Sequence, residues 1–488
     1  MSSILTNKSA MVALQTLKMI NSNLAKTQAE ISTGRKIASA KDNASIWAIS
    51  KVMESDVKGF KGISESLSLG ESTVAVARQA SETITELLTD IKSKIVAAQE
   101  QNVDREKIQT DIDALRNQIT SVVNAAQFNG LNLLKGTEDV NILSSLDRAA
   151  DGSVSASNIT ISRQDMSTTA GVLGTGTDLS PNATLSATSA TNAGNTATVT
   201  IATDADMSDN TLTLTIGGAT LSYAVGDLSG NQDAAASKIT GDINALGIVG
   251  VTASVANNVI TLTSTRAFED VALSATGATA SASFIAERAE TLTFSASANV
   301  AEGDGYQVTI GSNTFTYVAG KGETFEDVAK GLKVAIDGGS IPGITTQVVQ
   351  NSSNQWVLKI DNDSATAQTL ARAGAAGGTA SGGLFGLDKI DVTTNAGANA
   401  ALDNIETLIN ASIDAAANFG SAQGRIEIQS DFISKLVDSL RAGIGTMVDA
   451  DMEAASARLQ ALQVQQQLGI QSLSIANQSP QSILSLFR

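Results

Sequence analysis

The chain has 488 residues, a net charge of −17 from 49 Asp/Glu against 32 Lys/Arg, and neither cysteine nor histidine. Its length exceeds what one core usually supports, so several domains are expected. The missing side chains remove disulfides, thiolate nucleophiles, imidazole bases and the HExxH zinc site, so no catalytic residue, metal or cofactor is expected. Residues 1 to 61 carry nine Lys/Arg and four Asp/Glu, and residues 440 to 488 three of each. The acidic excess is therefore internal, and no nucleic-acid partner is expected because phosphate binding needs a basic footprint.

Only three prolines occur, the first at Pro181, which leaves the N-terminal part free to form long helices. Ala10, Leu17, Leu24 and Ile31 recur every seven residues, with Ala13 and Ile20 three places after the first two, and draw one apolar stripe along a helix. The stripe stops at "TGRKIASAKDNASIWAIS", residues 33 to 50. Gly34 suits a left-handed C-cap there, and Asp42 or Asn43 suits the N-cap of a following helix. The stretch reads as a joint in which Arg35, Lys36 and Lys41 are available to acidic groups of the same or another chain, and Trp47 is a large apolar anchor.

From Ile63 the spacing alternates +4 and +3 through Leu67, Gly70, Val74, Ala77, Ser81, Ile84, Leu88, Ile91, Ile95 and Ala98, a heptad pattern. A third run, Ile108 to Ala126, keeps that spacing up to "QFNG", where Asn129-Gly130 is read as the helix end. Between about 175 and 395 the composition shifts to Thr, Ser, Gly, Ala and Asn with alternating strands. Here "TIGGATLSYAVG" (215 to 226) recurs as "TIGSNTFTYVAG" (309 to 320), pairing Tyr223 with Tyr317, and each copy is followed by a helical stretch and further strands. The C-terminal part returns to helix. Its stripes run from Leu402 to Phe419, from Ile426 through Gln429 and Ile433 to Gly443, and from Val448 through Leu459 and Leu462 to Leu473, with Val464, Leu468, Ile470 and Ile475 apolar off the stripe.

Stripes at both ends cannot bury themselves, so the two ends are expected to pack on each other. The fold class is α+β: a long coiled-coil-like helical bundle from both termini with a central β-rich insertion of two similar lobes. The expected divisions are 1–42, an N-terminal helix; 43–174, helical core with a β-hairpin after 140; 175–395, outer β-rich lobes; 396–447, helical core; and 448–488, a C-terminal helix. No apolar run has the length of a signal peptide or membrane span, so no ordinary cleaved signal and no membrane insertion are expected.

"ISTGRKIASAKDNASIWAIS" resembles the bacterial flagellin signature near the first helix break. "AAQFNGLNLL" resembles the turn closing that family's second helical segment, and "ADMEAASARLQALQVQQQLGIQSLSIANQSPQSILSLF" resembles its terminal helix. The resemblance covers about the first 140 and last 90 residues. It implies a secreted, extracellular subunit, exported by the flagellar type III apparatus, that self-assembles into the helical filament of a swimming bacterium. It also implies an export chaperone and cap and hook-associated proteins as partners. The terminal helices, with Leu17, Leu24, Ile31, Leu459, Leu462 and Leu473, would line an inner tube, and the heptad segments an outer one. The hook-filament junction protein of the same system and a helix-anchored surface adhesin are the alternatives. "TDIKSKIVA" (89 to 97) aligns with the stretch that the flagellin-sensing Toll-like receptor contacts in many family members. Those have Arg where Asp90 stands and Glu-Leu where Ser93-Lys94 stands, which implies weak activation here.

Overall fold

The computed structural model describes residues 7–149, 153–204 and 206–484, with side chains up to 478. Residues 1–6 and 485–488, the outermost parts of the expected inner helices, lie outside it. Three helices come first: α1 (Lys8–Thr33), α2 (Ala44–Ala98) and α3 (Arg105–Ala125). A small hairpin, β1 (Gln127–Phe128) and β2 (Leu131–Asn132), and a longer one, β3 (Val140–Arg148) and β4 (Val154–Ile161), follow. The Asn129-Gly130 reading is corrected: α3 ends earlier, with Ala126 N–H bonded to the Val122 carbonyl. Asn129 (φ 49°) and Gly130 (φ 81°) make the two-residue turn between Phe128 and Leu131. Two successive left-handed residues match the twist of a hairpin, so Asn-Gly served a turn here rather than a cap.

The first strands of the outer region are β5 (Ala183–Leu185) and β6 (Ser189–Ala190). Then come β7 (Asn195–Ile201), β8 (Leu212–Ile216), β9 (Ala219–Tyr223), α4 (Gln232–Ala245), β10 (Val251–Ala256), β11 (Val259–Ser264), β12 (Val271–Thr276), β13 (Ala278–Ala280) and β14 (Phe284–Ile285). The second copy runs β15 (Glu290–Phe294), β16 (Gly305–Ile310), β17 (Asn313–Val318), α5 (Phe325–Gly338), β18 (Ile344–Gln350), β19 (Trp356–Asn362) and β20 (Gln368–Ala375). Two long helices close the chain, α6 (Asn395–Val448) and α7 (Met452–Leu484).

The chain divides into two compact units. One comprises residues 73–140 and 162–421. In it the heptad positions Ile84, Leu88, Ile91 and Ile95 of α2 are fully buried, as are Ile112 and Ile119 of α3 and Ile405 of α6. Ser81 and Ser412 fall in the same seam and are also fully buried. Their hydroxyls are satisfied: Thr85 Oγ1 donates to Ser412 Oγ (2.9 Å), which donates to the Ser81 carbonyl (3.0 Å), while Ser81 Oγ donates to the Ala77 carbonyl. An unpaired hydroxyl here would cost about 1–3 kcal/mol, so this polar layer admits one register of α2 on α6.

Two lobes complete this unit. Each packs two four-stranded sheets with one helix: β10-β11-β7-β13 with β14-β12-β8-β9, and β18-β19-β15-β5 with β17-β16-β20-β6. The first core is mainly aliphatic (Val199, Leu214, Ile239, Ile260) beside the buried Tyr223, whereas the second gathers Phe294, Tyr306 and Phe325 at ring separations of 5.3 to 5.8 Å. The repeated tyrosines donate to acids of different length, Tyr223 to Asp242 (2.8 Å) and Tyr317 to Glu323 (2.9 Å). Burial pushes the Glu323 carboxyl up.

The other unit comprises residues 1–72, 141–161 and 422–488. It explains two odd members of the heptad runs. A Cβ on Gly70 would lie 2.3 Å from Ile142 Cδ1, so only glycine lets β3 lie against α2 here. Gln429 Nε2 donates to the Ser144 carbonyl of β3 (2.9 Å), so that polar position of α6 holds the hairpin.

Candidate assembly surface and its joint

Helices α1 and α7 pair antiparallel. Asn7 Nδ2 donates to the Ala476 carbonyl (2.8 Å) near one end, Gln466 Nε2 to Asn21 Oδ1 (2.7 Å) midway, and the Gly34 carbonyl accepts from Ala450 N–H (3.0 Å) at the other end. Close approach is secured by Gly469, where a Cβ would stand 3.2 Å from Leu17 Cδ1. Of the expected stripe residues, Leu462 is buried, and Leu17, Leu24, Ile31, Leu459 and Leu473 are half-buried. The pair leaves much apolar surface uncovered. Met11, Val12 and Met19 of α1, and Val464, Leu468, Ile470 and Ile475 of α7, are each more than half exposed. An open groove of about 890 Å³ runs between the helices, bordered by Val12, Met19, Ile20 and Leu468.

The joint is built from two chain breaks rather than one. Gly34 ends α1 at φ 69°, ψ 7°, the left-handed cap expected of it. Arg35 then pairs its backbone with Asp449, and the Lys36 and Ile37 amides both donate to the Val448 carbonyl (2.7 and 3.3 Å). The break between α1 and α2 is thus tied to the break between α6 and α7. Ile37 and Val448 are buried beside it. The capping alternatives separate. Asn43 Oδ1 accepts from the amides of Ser45 and Ile46 and caps α2. The Asp42 carboxylate instead accepts from Ala38 N–H and from the amide and hydroxyl of Ser39, closing the preceding turn. The Ser39 bonds hold its carboxyl below the usual range.

Arg35 reaches Glu54 of its own chain at 3.4 Å, and Lys51 shares that carboxylate at 2.7 Å. Lys36 and Lys41 are exposed, and Trp47 is half-buried in the single chain. The sequence divides at 447/448, but nothing in it named Val448 to Asp451 as the partner half of this joint. Asp451 Oδ1 accepts from the amides of Glu453 and Ala454 and caps α7, a signal readable as an acidic residue just ahead of an apolar stripe. In the receptor-aligned stretch Asp90 and Ser93 are exposed, while Lys94 is held by Asp111 of α3 at 2.6 Å.

The family model described as the bacterial flagellin N-terminal helical region matches residues 4–139, and its C-terminal counterpart matches residues 402–487. Flagellin B of Rhizobium meliloti is 31% identical over 493 residues, covering 100% of both chains. Flagellin A of Rhizobium meliloti strain 1021 is 32% identical, again over 100% of both. The chain belongs to the bacterial flagellin family. A crystal structure of flagellar hook associated protein-3 from Legionella pneumophila aligns at 9% identity and a TM-score of 0.31, over 81% of this chain and 98% of that one. The two family regions take in the joint, α1 to α3 and nearly all of α6 and α7. The likeness to the Rhizobium flagellins extends further, through the outer lobes, where the motifs alone showed no named relative.

The joint's caps are separable in a flagellin of this build. Gly34→Ala forces a Cβ into the left-handed region and is expected to cost about 1–2 kcal/mol. Asn43→Ala is expected to cost about 1 kcal/mol. Lys36→Ala, on an exposed side chain, should stay within about 0.5 kcal/mol. Urea titration of the assembled filament, in which both terminal helices are ordered, followed by helical circular dichroism, measures all three; equal effects would show that the caps do not hold the joint.

Proposed function

We propose that this chain is the structural subunit that polymerises into the helical filament of the bacterial flagellum and so serves swimming. The observation that carries the reading is the paired terminal helices with their uncovered apolar faces, in a chain of the flagellin family. Covering a half-exposed Leu, Ile, Met or Val contributes about 1 kcal/mol. Seven such residues on α1 and α7 therefore offer a gain comparable to the about 4–15 kcal/mol that association costs. An antiparallel pair cannot cover both its outer sides with its own chain. Copies of the same chain, meeting head-to-tail without closure, would cover them and grow as an open helix.

In this reading residues 1–42 and 448–488 form the inner layer, 43–174 and 396–447 the layer around it, and 175–395 project outward as spacers. The joint at Gly34 to Trp47 lets one chain serve both layers. Residues 1 to about 40 and 450 to 488 gain their order between subunits, since two thin helices bury too little to offset their chain entropy alone. Export through the flagellar apparatus, with a chaperone, and contact with cap and hook-associated proteins follow from the same role, as does an extracellular location. The subunit is structural and performs no catalysis. Full-length likeness to chains named flagellin favours the filament over the hook-filament junction and over an adhesin.

Purified chain seeded with filament fragments is expected to elongate into micrometre filaments seen by electron microscopy. Removing 450–488 should abolish elongation, and removing 180–390 should leave thinner filaments. Loss of elongation only in the second case would reverse the roles given to the helices and lobes. With Asp90 and Ser93 facing outward and Lys94 engaged by Asp111, the monomer is expected to be a weak agonist of the flagellin-sensing Toll-like receptor. A reporter-cell response equal to that of an Arg-bearing agonist flagellin would contradict this.

A further inference from the structure

The two lobes are one fold reached by two chain orders. In the first, all eight strands come consecutively, β7 to β14, whereas in the second β15 to β20 are completed by β5 and β6 from ahead of the first lobe. Sheet position equates β13 with β5 and β14 with β6. β13 pairs with β7 through Ala278↔Ile201 and Ala280↔Val199, as β5 pairs with β15 through Ala183↔Phe294 and Leu185↔Leu292. β14 lies on β12 through Ile285↔Val271, as β6 lies on β20 through Ala190↔Gln368. The hydrogen bonds between these strands repeat as well. Ser281 N–H donates to the Thr198 carbonyl and Leu273 N–H to the Ser283 carbonyl; Ser186 N–H donates to the Thr291 carbonyl and Leu370 N–H to the Thr188 carbonyl.

The strand pairs occupy 183–190 and 278–285, 95 residues apart, and both keep Ala-Thr at the start and Ser-Ala in the middle. Each stands at the head of one repeat, 183–276 or 278–375, and closes the lobe built by the other. We propose that the outer region is a reciprocal strand exchange between two self-sufficient repeats, and that the slot in each lobe accepts either strand pair. The proposal is independent of the filament reading.

The path for self-closure is short. Asn195 Nδ2 donates to the Glu287 carbonyl at 2.6 Å, so chain leaving β14 passes the first residue of β7 in the same lobe. A four-residue link, the length of both 191–194 and 286–289, spans that distance. The full chain holds the exchanged form through its crossing link. Arg288 N–H donates to the Arg266 carbonyl of the first lobe, while the Arg288 guanidinium grips Asp361 of β19 through two bonds (2.8 and 2.7 Å) in a buried pair. Lys359 of β19 pairs with Glu287. Core volume adds selectivity: Ile285 is buried in the first lobe, and the equivalent position in the second is the buried Ala190.

Two shortened chains test this, one lacking residues 183–277 and one lacking 191–285. They have equal length and differ only in which eight residues precede Ala286. The amide of Leu370, which needs a carbonyl from the closing pair, is expected to be protected from hydrogen exchange at least about 100-fold in both. Ile285→Ala should lower the melting temperature of the full chain, by leaving a cavity, and raise that of the chain lacking 183–277, by relieving an overfilled slot. An unprotected Leu370 in the chain lacking 183–277, whatever the other shows, would overturn the proposal. So would Ile285→Ala lowering the melting temperature in both backgrounds.

Discussion

Two helices carrying more apolar surface than they can give each other set the terms for the rest of this molecule. α1 and α7 meet along one seam, where Gly469 admits Leu17, and leave Met11, Val12, Met19, Val464, Leu468, Ile470 and Ile475 uncovered. Such faces persist on a chain only if other chains cover them or if they aggregate without order. The joint decides between these outcomes. By binding Lys36 and Ile37 to Val448, and Ala450 to Gly34, it fixes where both terminal helices leave their longer partners. The sticky surface is then presented in one orientation, which is what repeated identical contacts require.

Satisfied polar groups inside apolar seams give the remaining helices their register. The Thr85, Ser412 and Ser81 layer in one unit, and the Gln429 contact to Ser144 in the other, cost stability relative to leucine but penalise every slipped alignment. In the lobes the buried Arg288–Asp361 pair holds the crossing link, and side-chain volume, Ile285 in one slot and Ala190 in its counterpart, adds selectivity.

How much of this was legible depended on the range of the interaction. Heptad spacing located α2, α3 and α6 because burial on one face repeats every seven residues, but it counted Gly70, Ser81, Ser412 and Gln429 as ordinary members of the stripes and did not say what they meet. Their partners are 72 to 331 residues away, and no local pattern encodes such pairing. Local chemistry was decisive for Gly34 and left Asp42 and Asn43 open, since both side chains can accept from nearby amides. Asn129-Gly130 failed for a related reason: the same left-handed pair ends helices and turns hairpins. The tyrosine repeat exposed two lobes, but the low-complexity wording of 183–190 and 278–285 concealed which strands close which lobe.

The dependence of assembly on the uncovered helix face can be measured directly. Ile470 and Ile475 lie outside the groove between α1 and α7, at 54% and 69% exposure, so Ile470→Gln with Ile475→Gln should leave the monomer's melting unchanged. The critical concentration for seeded elongation should rise by about 10-fold or more, the equivalent of about 1.4 kcal/mol per subunit added. An unchanged critical concentration would contradict the assignment of that face to contacts between subunits.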